Sequence, residues 1–421
     1  MDNIPLILKE LEGCQFKIST DTRKDVSGSI YFALKGQSFD GNTFIDNVLE
    51  GGAVGAVTDN PSLTGSKIYL VDDVLKALQT IARTYRNLFS IPIIVIAGSN
   101  GKTTSKELIR EILKTKYRVH STSRNLNNHV GVPLSILSMD RDTEIAIFEI
   151  GANHPGEHLE LLEILNPTMV VITNNGMDHL EGFGSPLGVR KANKEVYDWA
   201  LSHNRVAFVD KNNPELMEDS VGLERMLYPS HKLSVTNSIP LSFTLENTEY
   251  ATNLVGNYNI ENIHLALAIG THFGISPDTA SKAVSKYGAS IQRSQFVEKN
   301  NINFIVDCYN ANPSSMHLAL QSFLETAREP RGIILGDMFE LGPYTDTEHQ
   351  KIVDCISKES LSCVIFIGNH FKNSLSGVEF KYHWFPNSEE AQKWFAKQEF
   401  GNFTFLLKGS RSMKIEKILD L

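Results

Sequence analysis

The residues best suited to chemistry form one glycine-rich turn, GSNGKTT, which runs from Gly98 to Thr104. It follows the β-branched run IPIIVIAG and precedes the helix-forming run SKELIREILK. A strand, a glycine-rich turn and a helix start make a phosphate cradle, because free amides at a helix N-terminus point at the anion and glycine lets the backbone approach it. Lys102 would reach the β- and γ-phosphates, and the Thr103 hydroxyl would ligate Mg²⁺. We predict a phosphate-binding loop made of Gly98, Ser99, Asn100, Gly101, Lys102, Thr103 and Thr104.

This turn departs from the standard phosphate loop at one position. The standard loop has a glycine five residues before the glycine that precedes the lysine, and Ile96 stands there in this chain. Spacing alone leaves a chance turn of this composition open. The flanking strand and helix favour phosphate binding.

Acidic and histidine side chains follow two other strand-like runs. Glu149 is among the residues that end EIAIFEI, and Asp178 and His179 come a few residues after TMVVITN. Ligands of open α/β sheets bind at the carboxyl ends of the strands, so we expect these side chains near the phosphate loop. A buried carboxylate needs a partner, and nucleotide-bound Mg²⁺ would provide one for Glu149. Two alternatives stay open: Glu149 could pair with a lysine or backbone amides, and His179 could be polar surface.

Apolar runs place these residues in an α/β fold. Near the start, DDVLKALQTIARTYRNLF has apolar positions at helical spacing. IPIIVIAG, EIAIFEI and TMVVITN read as buried strands of a parallel sheet separated by helices. Near the end, the pattern restarts with NFIVD, RGIILGD, SCVIFIG and FTFLLKG.

Three domains follow from this pattern. We predict a small N-terminal α/β domain over residues 1–86, a central doubly wound, P-loop ATPase-like domain over residues 87–290, and a C-terminal Rossmann-like domain over residues 291–421. The last boundary is the least defined, because KYGASIQRSQ fits either a linker or the first turn of the third domain.

Composition excludes several functional classes. The formal net charge of −9 argues against a nucleic-acid-binding surface or one that rests on an anionic membrane. No apolar run reaches membrane-spanning length, and the first residues do not read as a signal peptide. The four cysteines show no C-x-x-C spacing, so we expect reduced, buried thiols in a cytoplasmic protein. Oligomeric state cannot be read from the sequence, and we expect a monomer.

Motifs along nearly the whole chain resemble those of the Mur ligases, most closely the member that adds D-alanyl-D-alanine. The first domain carries TDTR and YFALKGQSFDGN, with Thr22 where the family usually has serine. The remaining motifs occur in family order: GSNGKTT, NLNNHVGVPLSIL, FEIGANHPGE, ITNNGMDHLEGFGS, GNYNIENIHLA, RSQ, DCYNANPSSM, GDMFELG and LLKGSRSM. YNANP together with GDMxELG separates this member from its sister ligases.

The resemblance implies an ATP-dependent amide-bond ligase of peptidoglycan precursor synthesis. ATP would phosphorylate the terminal carboxylate of UDP-N-acetylmuramoyl-tripeptide, and the amine of D-alanyl-D-alanine would attack the acyl phosphate. Such chemistry needs metal and cationic groups around the transferring phosphoryl group more than a protein nucleophile. ATP and Mg²⁺ are the implied cofactors.

The same resemblance assigns roles to individual residues. Lys102 and Arg293 would clamp the γ-phosphate. Thr103 and Glu149 would hold one Mg²⁺, and His179 would help to hold a second. The implied catalytic residues are Lys102, Glu149, His179 and Arg293. The implied nucleotide contacts beyond the loop are Asn259, Asn262, Arg293, Asp307 and Asn310, with Asp307 at the ribose. The implied substrate-binding residues are Thr22, Arg23, Lys35, Gly36, Asp40, Gly41, Asn42, Asn127 and Asn128. For the asparagines, a structural role in turns or helix caps remains an alternative.

Two departures from the family pattern leave other functions open. Most relatives have a carbamylated lysine on the helix after HLEGFGS, and Asn193 aligns with that position. Lys191 and Lys194 lie about 100° or more away around a helix, so neither replaces it simply. Ile291 and Gln292 stand where this member commonly has two asparagines. The alternatives are a divergent paralogue that forms a different amide bond and a non-catalytic nucleotide-binding protein.

Overall fold

The computed structural model describes residues 3–36, 38–123, 126–288 and 293–420. The departures at Ile291 and Gln292 and the predicted boundary between residues 290 and 291 therefore lie outside the described residues. The chain divides into two compact units. The first comprises Met1–Val95, Arg118–Ala152 and Gly156–Met169, and the second comprises Ile96–Tyr117, Asn153–Pro155 and Val170–Leu421. The bounds of the three domains stay a prediction.

A small parallel sheet with helices opens the first unit. Its elements are α1 (Ile4–Gly13), β1 (Ile18–Ser19), β2 (Ile30–Phe32), β3 (Lys35–Gly36), β4 (Phe39–Asp40), α2 (Ile45–Glu50), β5 (Gly55–Thr58), β6 (Ile68–Leu70) and α3 (Val74–Arg86). The strand order is β1-β2-β5-β6, with every pairing parallel, and β3 pairs antiparallel with β4. Helix α3 starts at the Asp73 cap, whose carboxylate accepts the Lys76 N–H at 2.9 Å. This helix confirms the one predicted from DDVLKALQTIARTYRNLF.

The chain then builds a sheet of buried strands alternating with helices. Its elements are β7 (Ile93–Ala97), α4 (Lys102–Leu113), β8 (Val119–Ser121), α5 (Gly131–Leu137), β9 (Ile145–Glu149), α6 (Glu157–Leu165), β10 (Met169–Ile172), α7 (Leu180–Phe183), α8 (Pro186–Ser202), β11 (Val206–Asp210), α9 (Pro214–Asp219) and β12 (Glu224–Tyr228). The strand order is β12-β11-β10-β7-β9-β8. Every residue of β7 and β9 is buried, as expected for strands covered on both faces. The predicted strands IPIIVIAG, EIAIFEI and TMVVITN are confirmed.

An antiparallel sheet and two helices follow in the second unit. They are β13 (Leu233–Ser238), β14 (Leu241–Leu245), β15 (Thr248–Ala251), α10 (Asn259–His272) and α11 (Pro277–Lys286). β14 pairs antiparallel with both β13 and β15. The sequence did not predict this sheet, because β13 is mostly exposed and its sequence LSVTNS has no continuous apolar run.

The last part of the second unit is another α/β sheet. Its elements are β16 (Gln295–Lys299), β17 (Ile302–Asp307), α12 (Pro313–Thr326), β18 (Arg331–Gly336), α13 (Thr345–Ile356), β19 (Cys363–Ile367), α14 (Asn369–Ser374), β20 (His383–Phe385), α15 (Ser388–Phe395) and β21 (Thr404–Lys408). The strand order is β16-β17-β21-β18-β19-β20, and the pairings are parallel except at β16. The four predicted strand runs are β17, β18, β19 and β21. The predicted α/β class is confirmed.

Two expectations from the sequence concerned membrane-spanning segments and the cysteines. None of the helices in the described part of the chain is long and apolar enough to cross a membrane. All four cysteines are free; Cys308 and Cys363 are buried, and Cys14 and Cys355 are partly buried. Burial raises the pKa of the Cys363 thiol to about 12, so this thiol is unreactive at neutral pH.

Candidate active site

The glycine-rich turn joins the end of β7 to the start of α4, as the sequence predicts. Gly98 and Gly101 have φ of +111° and +80°, a region that side chains with a Cβ rarely adopt. A Cβ at Gly98 would also collide with the Thr173 hydroxyl, and one at Gly101 would collide with the Asn262 amide oxygen. Both glycines are therefore required for this path of the backbone.

Lys102 is the first residue of α4, and its side chain folds back over the turn. Its Nζ donates to the Gly98 carbonyl and, at 3.2 Å, to the Ser99 carbonyl. The ammonium group thus lies on the loop that would hold a phosphate chain. Its positive charge adds to that of the helix N-terminus, which favours an anion at this place.

The loop that follows β10 holds the backbone of the turn. The Ser99 N–H donates to the Asn174 carbonyl at 3.0 Å, and the Asn100 N–H donates to Oδ1 of Asn174 at 3.1 Å. The Gly176 N–H donates to the Ser99 hydroxyl at 2.8 Å. These bonds fix the conformation of the turn from the neighbouring strand end.

Asn259 and Asn262, expected to contact the nucleotide, lie on α10 beside the turn. Oδ1 of Asn262 accepts the Ser105 hydroxyl at 3.0 Å, and its Nδ2 donates to Oδ1 of Asn259 at 2.9 Å. Asn259 is 1% exposed, and its Nδ2 donates to the Val255 carbonyl at 2.7 Å. These contacts are consistent with the alternative that the asparagines support the local structure, most clearly for Asn259. Direct contact with a nucleotide stays a prediction.

His179 lies beyond the end of β10, immediately before α7. Its Nδ1 is hydrogen-bonded to Oε2 of Glu340, which belongs to GDMFELG. This bond from His179 lowers the pKa of the Glu340 carboxyl, so the carboxylate is ionised at neutral pH. The Glu340 carbonyl also accepts the Glu181 N–H at 3.0 Å. Two of the motifs noted in the sequence therefore meet at this histidine.

Arg293 and Asp307, also expected near the nucleotide, have partners close by. The Arg293 guanidinium lies 3.5 Å from the centre of the Tyr309 ring, a cation–π contact that orients it. Asp307 accepts the Ser294 N–H at 3.2 Å and is paired with Lys408. Asn310 is exposed.

Lys408 belongs to LLKGSRSM, and no role was predicted for it. Its side chain is 2% exposed, and Asp307 is its ion-pair partner. The available signal was a charged residue inside the otherwise apolar run FTFLLKG, because a buried charge needs a partner.

Glu149, in the first unit, ends β9 with its side chain buried. Its Oε1 accepts Nδ2 of Asn127 at 2.9 Å, and its backbone N–H donates to the Thr122 hydroxyl at 3.1 Å. Asn128 instead holds the turn that leads into α5, since its Oδ1 accepts the Val130 N–H at 3.2 Å and the Gly131 N–H at 2.9 Å. The structure thus brings Asn127 to Glu149 and places Asn128 in a turn.

Two of the expected substrate residues of the first unit, Lys35 and Asp40, belong to a polar cluster around a third, Asn42. Its Nδ2 donates to Oδ1 of Asp40 at 2.9 Å and to Oδ1 of Asp59 at 3.0 Å. Nζ of Lys35 lies 2.8 Å from the same oxygen of Asp59. Asp59 was not predicted, and the signal for it in the sequence was its place at the end of the strand-like run AVGAVTD. Gly36 and Gly41 lie beside the cluster in the chain, in β3 and just after β4.

Thr22 and Arg23 are not hydrogen-bonded to this cluster in the described structure. Arg23 is exposed, and its Nε donates to Oδ1 of Asp21 at 2.8 Å. That contact, together with the Arg23 N–H, lowers the pKa of the Asp21 carboxyl to about 2.

Comparison with known proteins identifies the family. The profile "Mur ligase middle domain" matches residues 96–270, and "Mur ligase, glutamate ligase domain" matches residues 292–411. The UDP-N-acetylmuramoyl-tripeptide–D-alanyl-D-alanine ligase of Bacillus subtilis is 32% identical, over 96% of this chain and 92% of the relative. The chain belongs to the Mur ligase family.

Other relatives agree with this membership. The ligase of the same name from Escherichia coli is 28% identical to this Mur ligase, over 97% of this chain and 95% of its own length. A crystal structure of MurF from Acinetobacter baumannii superposes with a TM-score of 0.87 at 27% identity, covering 98% of this chain and 97% of the other. MurF ligase from Thermotoga maritima, solved in complex with ADP, has a TM-score of 0.82 at 23% identity, over 100% and 98% of the two chains, and shows the shared fold.

The donor chemistry of this Mur ligase fits Mg²⁺. In the second unit, Thr103 offers a hydroxyl oxygen, which this hard cation accepts as a ligand, and Asp178 adds a carboxylate beside His179. Oδ1 of Asp178 is buried and has no hydrogen-bond partner among the described residues. A cation would offset the cost of burying that oxygen. In the described ranges, no group of three or more His, Cys, Asp or Glu side chains forms a ready-made metal site. Protein-bound Mg²⁺ commonly relies on one or two carboxylates plus substrate phosphates.

Helix α8 of this Mur ligase places Asn193 on its inner face. Asn193 is 5% exposed, and its Nδ2 donates to Oδ1 of Asn175 at 3.1 Å, in the loop after β10. Lys191 is exposed, and Lys194 is paired with Asp198 one turn along the helix. Of these three residues, Asn193 is the one on the buried face of α8.

Proposed function

We propose that this Mur ligase joins D-alanyl-D-alanine to UDP-N-acetylmuramoyl-tripeptide, with cleavage of ATP, in peptidoglycan precursor synthesis. The proposal rests mainly on the positions of the two motifs typical of this member, YNANP and GDMFELG. Asn312 of YNANP is hydrogen-bonded to Asn100 of the phosphate loop, and Glu340 of GDMFELG is hydrogen-bonded to His179. The printed names of the Bacillus subtilis and Escherichia coli relatives support the same substrates.

The reaction would begin with phosphoryl transfer. A carboxylate oxygen of the tripeptide attacks the γ-phosphorus of ATP, the bond to the β-phosphate oxygen breaks, and ADP leaves. We assign Lys102 and Arg293 to the γ-phosphate, because both cations lie in segments expected to hold the nucleotide. Fixed positive groups stabilise the charge that develops on the transferring oxygens.

Amide formation would follow on the acyl phosphate. The free amine of D-alanyl-D-alanine attacks the acyl carbon, the amine loses a proton, and the tetrahedral intermediate expels inorganic phosphate. Bound Mg²⁺ would neutralise phosphate charge, and we assign its ligation to Thr103, Glu149 and His179. We also propose four contacts to the nucleotide, made directly or through the phosphate loop: Asp307, Asn259, Asn262 and Asn310.

We assign the uridine nucleotide to the polar cluster of the first unit. Lys35, Asp40 and Asn42 present a cation, a carboxylate and an amide within one hydrogen-bonded group. Such groups suit the phosphates, the ribose hydroxyls and the uracil edge. Thr22, Arg23, Gly36, Gly41, Asn127 and Asn128 stay proposed substrate contacts. Localisation of the protein in the cytoplasm and its monomeric state remain expectations.

Phosphate release from ATP tests this function. The purified protein is assayed with UDP-N-acetylmuramoyl-tripeptide alone, with D-alanyl-D-alanine alone, with both and with neither, and the peptide product is identified by mass spectrometry. We expect steady release and a pentapeptide product only with both substrates. Release with the tripeptide and a different amine, with no gain from the dipeptide, would indicate a paralogue. ADP binding without turnover under every condition would indicate a non-catalytic protein.

A further inference from the structure

Three chain segments of the second unit cross at Gly176. A Cβ added there would lie 2.7 Å from Nδ2 of Asn100, 2.7 Å from the Ser314 hydroxyl and 2.8 Å from the Ser99 Cβ. The segments are the phosphate loop, the loop after β10 and the start of α12. Only a residue without a side chain allows them to approach this closely. We call the group Asn100, Gly176, Asn312 and Ser314 the loop clasp.

Hydrogen bonds in the loop clasp hold the Asn100 side chain from both ends of its amide. Nδ2 of Asn312 donates to Oδ1 of Asn100 at 2.9 Å, and Nδ2 of Asn100 donates to the Ser314 hydroxyl at 3.3 Å. The Ser314 hydroxyl donates to Oδ1 of Asn312 at 3.1 Å and accepts the Met177 N–H at 2.9 Å. One donor and two acceptor sites of a hydroxyl are thereby used.

Helix capping fixes the direction of these bonds. Oδ1 of Asn312 accepts the Ser315 N–H at 2.8 Å as the N-cap of α12. Since this oxygen must face the helix, Nδ2 of Asn312 faces Asn100. The amide of Asn100 must then present its oxygen to Asn312 and its nitrogen to Ser314. The helix start therefore selects one orientation of the Asn100 side chain.

Asn100 bonds to two different segments. Its backbone N–H and carbonyl bond to Asn174, in the loop after β10. Its side chain bonds to Asn312 and Ser314 at the start of α12, and its Nδ2 also donates to Oδ1 of Asn174 at 3.5 Å. Asn100 directly precedes Gly101 and Lys102. A change in the position of α12 would therefore move the Asn100 side chain and change the conformation of the phosphate loop. Because such coupling is reciprocal, nucleotide binding would in turn stabilise the position of α12.

We propose that Asn312 and Ser314 are positioning residues for the phosphate loop: through Asn100 they hold the loop in its nucleotide-binding form and couple it to the seating of α12. This proposal rests on the proposed function only in that the loop binds a nucleotide. The two residues need not touch the nucleotide themselves.

The decisive variant is Asn312→Ser, because serine is also a good N-cap but is too short to reach Asn100. Asn387→Ser is the matched control. Asn387 caps α15, the helix between β20 and β21 of the same α/β sheet, and its Oδ1 accepts the Glu390 N–H at 3.0 Å. ADP binding is measured by isothermal titration calorimetry, with melting temperature as the readout for folding. We expect the Kd for ADP to rise about three- to tenfold in Asn312→Ser and in Ser314→Ala, the loss typical of a hydrogen bond or two. The Kd of Asn387→Ser should stay within about twofold of the parent value.

A double-variant cycle separates positioning from a general loss of stability. If Asn312 acts through Asn100, Asn312→Ser in an Asn100→Ala background should weaken ADP binding no further. In the ligation assay, KM for ATP should rise more than kcat falls. Additive losses in the cycle, or an unchanged Kd with only a lowered melting temperature, would overturn the proposal. A parent protein that binds ADP but does not ligate would refute the proposed function and leave this coupling standing.

Discussion

Nδ1 of His179 is hydrogen-bonded to Oε2 of Glu340, a residue 161 positions further along the chain. Because one ring nitrogen faces the carboxylate, Nε2 is the nitrogen left to face a ligand. A carboxylate behind a metal-binding histidine fixes the ring and raises its basicity, and loss of such a partner typically costs about 10- to 100-fold in metal affinity. If His179 holds Mg²⁺ as proposed, Glu340 of GDMFELG would support that histidine.

Glu340→Gln should weaken divalent-metal binding by about tenfold or more, because a neutral amide stabilises the imidazole less than a carboxylate does. Mn²⁺ in the presence of a non-hydrolysable ATP analogue, followed by electron paramagnetic resonance, measures this without turnover. Glu181→Gln serves as the control, since Glu181 is exposed and lies two residues from His179. Equal Mn²⁺ affinity in both variants would show that Glu340 does not support the metal.

Lys102→Ala should abolish ligation while leaving the fold intact. Nζ of Lys102 bonds to the carbonyls of Gly98 and Ser99 in the loop, and removal of one transition-state charge contact typically costs about 10²-fold or more in rate. Lys114→Ala, at the other end of the same helix and half exposed, should keep the parent rate. Near-normal turnover of Lys102→Ala at saturating ATP would mean that this loop is not the catalytic phosphate site.

Asp59→Ala should raise KM for UDP-N-acetylmuramoyl-tripeptide and leave KM for ATP unchanged. Asp59 holds both Lys35 and Asn42, so its loss frees two of the proposed substrate contacts. An increase of about tenfold is expected from two weakened polar contacts. Asp46→Ala, an exposed carboxylate in α2, is the control. A parallel rise in both KM values would point to a general loss of structure instead.

Local patterns predicted the parts of this structure that depend on neighbouring residues. The phosphate loop was found because a β-branched run, glycines and a helix-forming run follow one another, and β7, β9, β10, β17, β18, β19 and β21 were found for similar reasons. The antiparallel sheet β13–β15 was not, since β13 is largely exposed and its sequence LSVTNS has no continuous apolar run.

Partners that are distant in sequence could not be predicted in this way. Asp59 meets Asn42 across 17 positions, Lys408 meets Asp307 across 101, and Asn312 meets Asn100 across 212. The sequence marks each of these residues as polar, but only the fold selects the partner. Asn259 was expected at the nucleotide, and the structure adds its bonds to Asn262 and Val255, which the sequence did not predict.

Acidification should destabilise the first unit through His120. Burial lowers the pKa of His120 from 6.5 to about 4, with Asp140 opposing the shift. Because the folded pKa lies below the unfolded value, this contribution to stability is complete above pH 6.5 and is lost as the pH falls toward 4. Between pH 7.5 and 5 the loss is on the order of 2 kcal/mol.

Denaturant unfolding at both pH values, followed by circular dichroism, measures this loss. His120→Gln should show a smaller drop in the free energy of unfolding than the parent, and His317→Gln, which changes an exposed histidine, should show the same drop as the parent. Identical pH dependence in all three proteins would contradict the assignment to His120.

The last prediction concerns Asn193, where this chain departs from most of its family. A lysine carbamate would bring a negative charge, whereas the Asn193 amide brings only a dipole, so a second Mg²⁺ should bind more weakly here. Activity should need more Mg²⁺ than in carbamate-using relatives, and removal or addition of bicarbonate should leave the rate unchanged. Lys194→Ala should also keep the rate, because Lys194 is already paired with Asp198 on the outer side of α8.

Asn193→Lys is the complementary variant. Asn193 is buried and faces Asn175 in the loop after β10, so a lysine at this position would extend toward the same loop. We expect this variant to gain a dependence on bicarbonate and to need less Mg²⁺ when bicarbonate is present. Rates are measured in carbon-dioxide-free buffer and after bicarbonate is restored. If the unmodified protein loses its rate without carbon dioxide and recovers it with bicarbonate, the prediction is wrong, and Lys191 or Lys194 becomes the residue to examine for a carbamate.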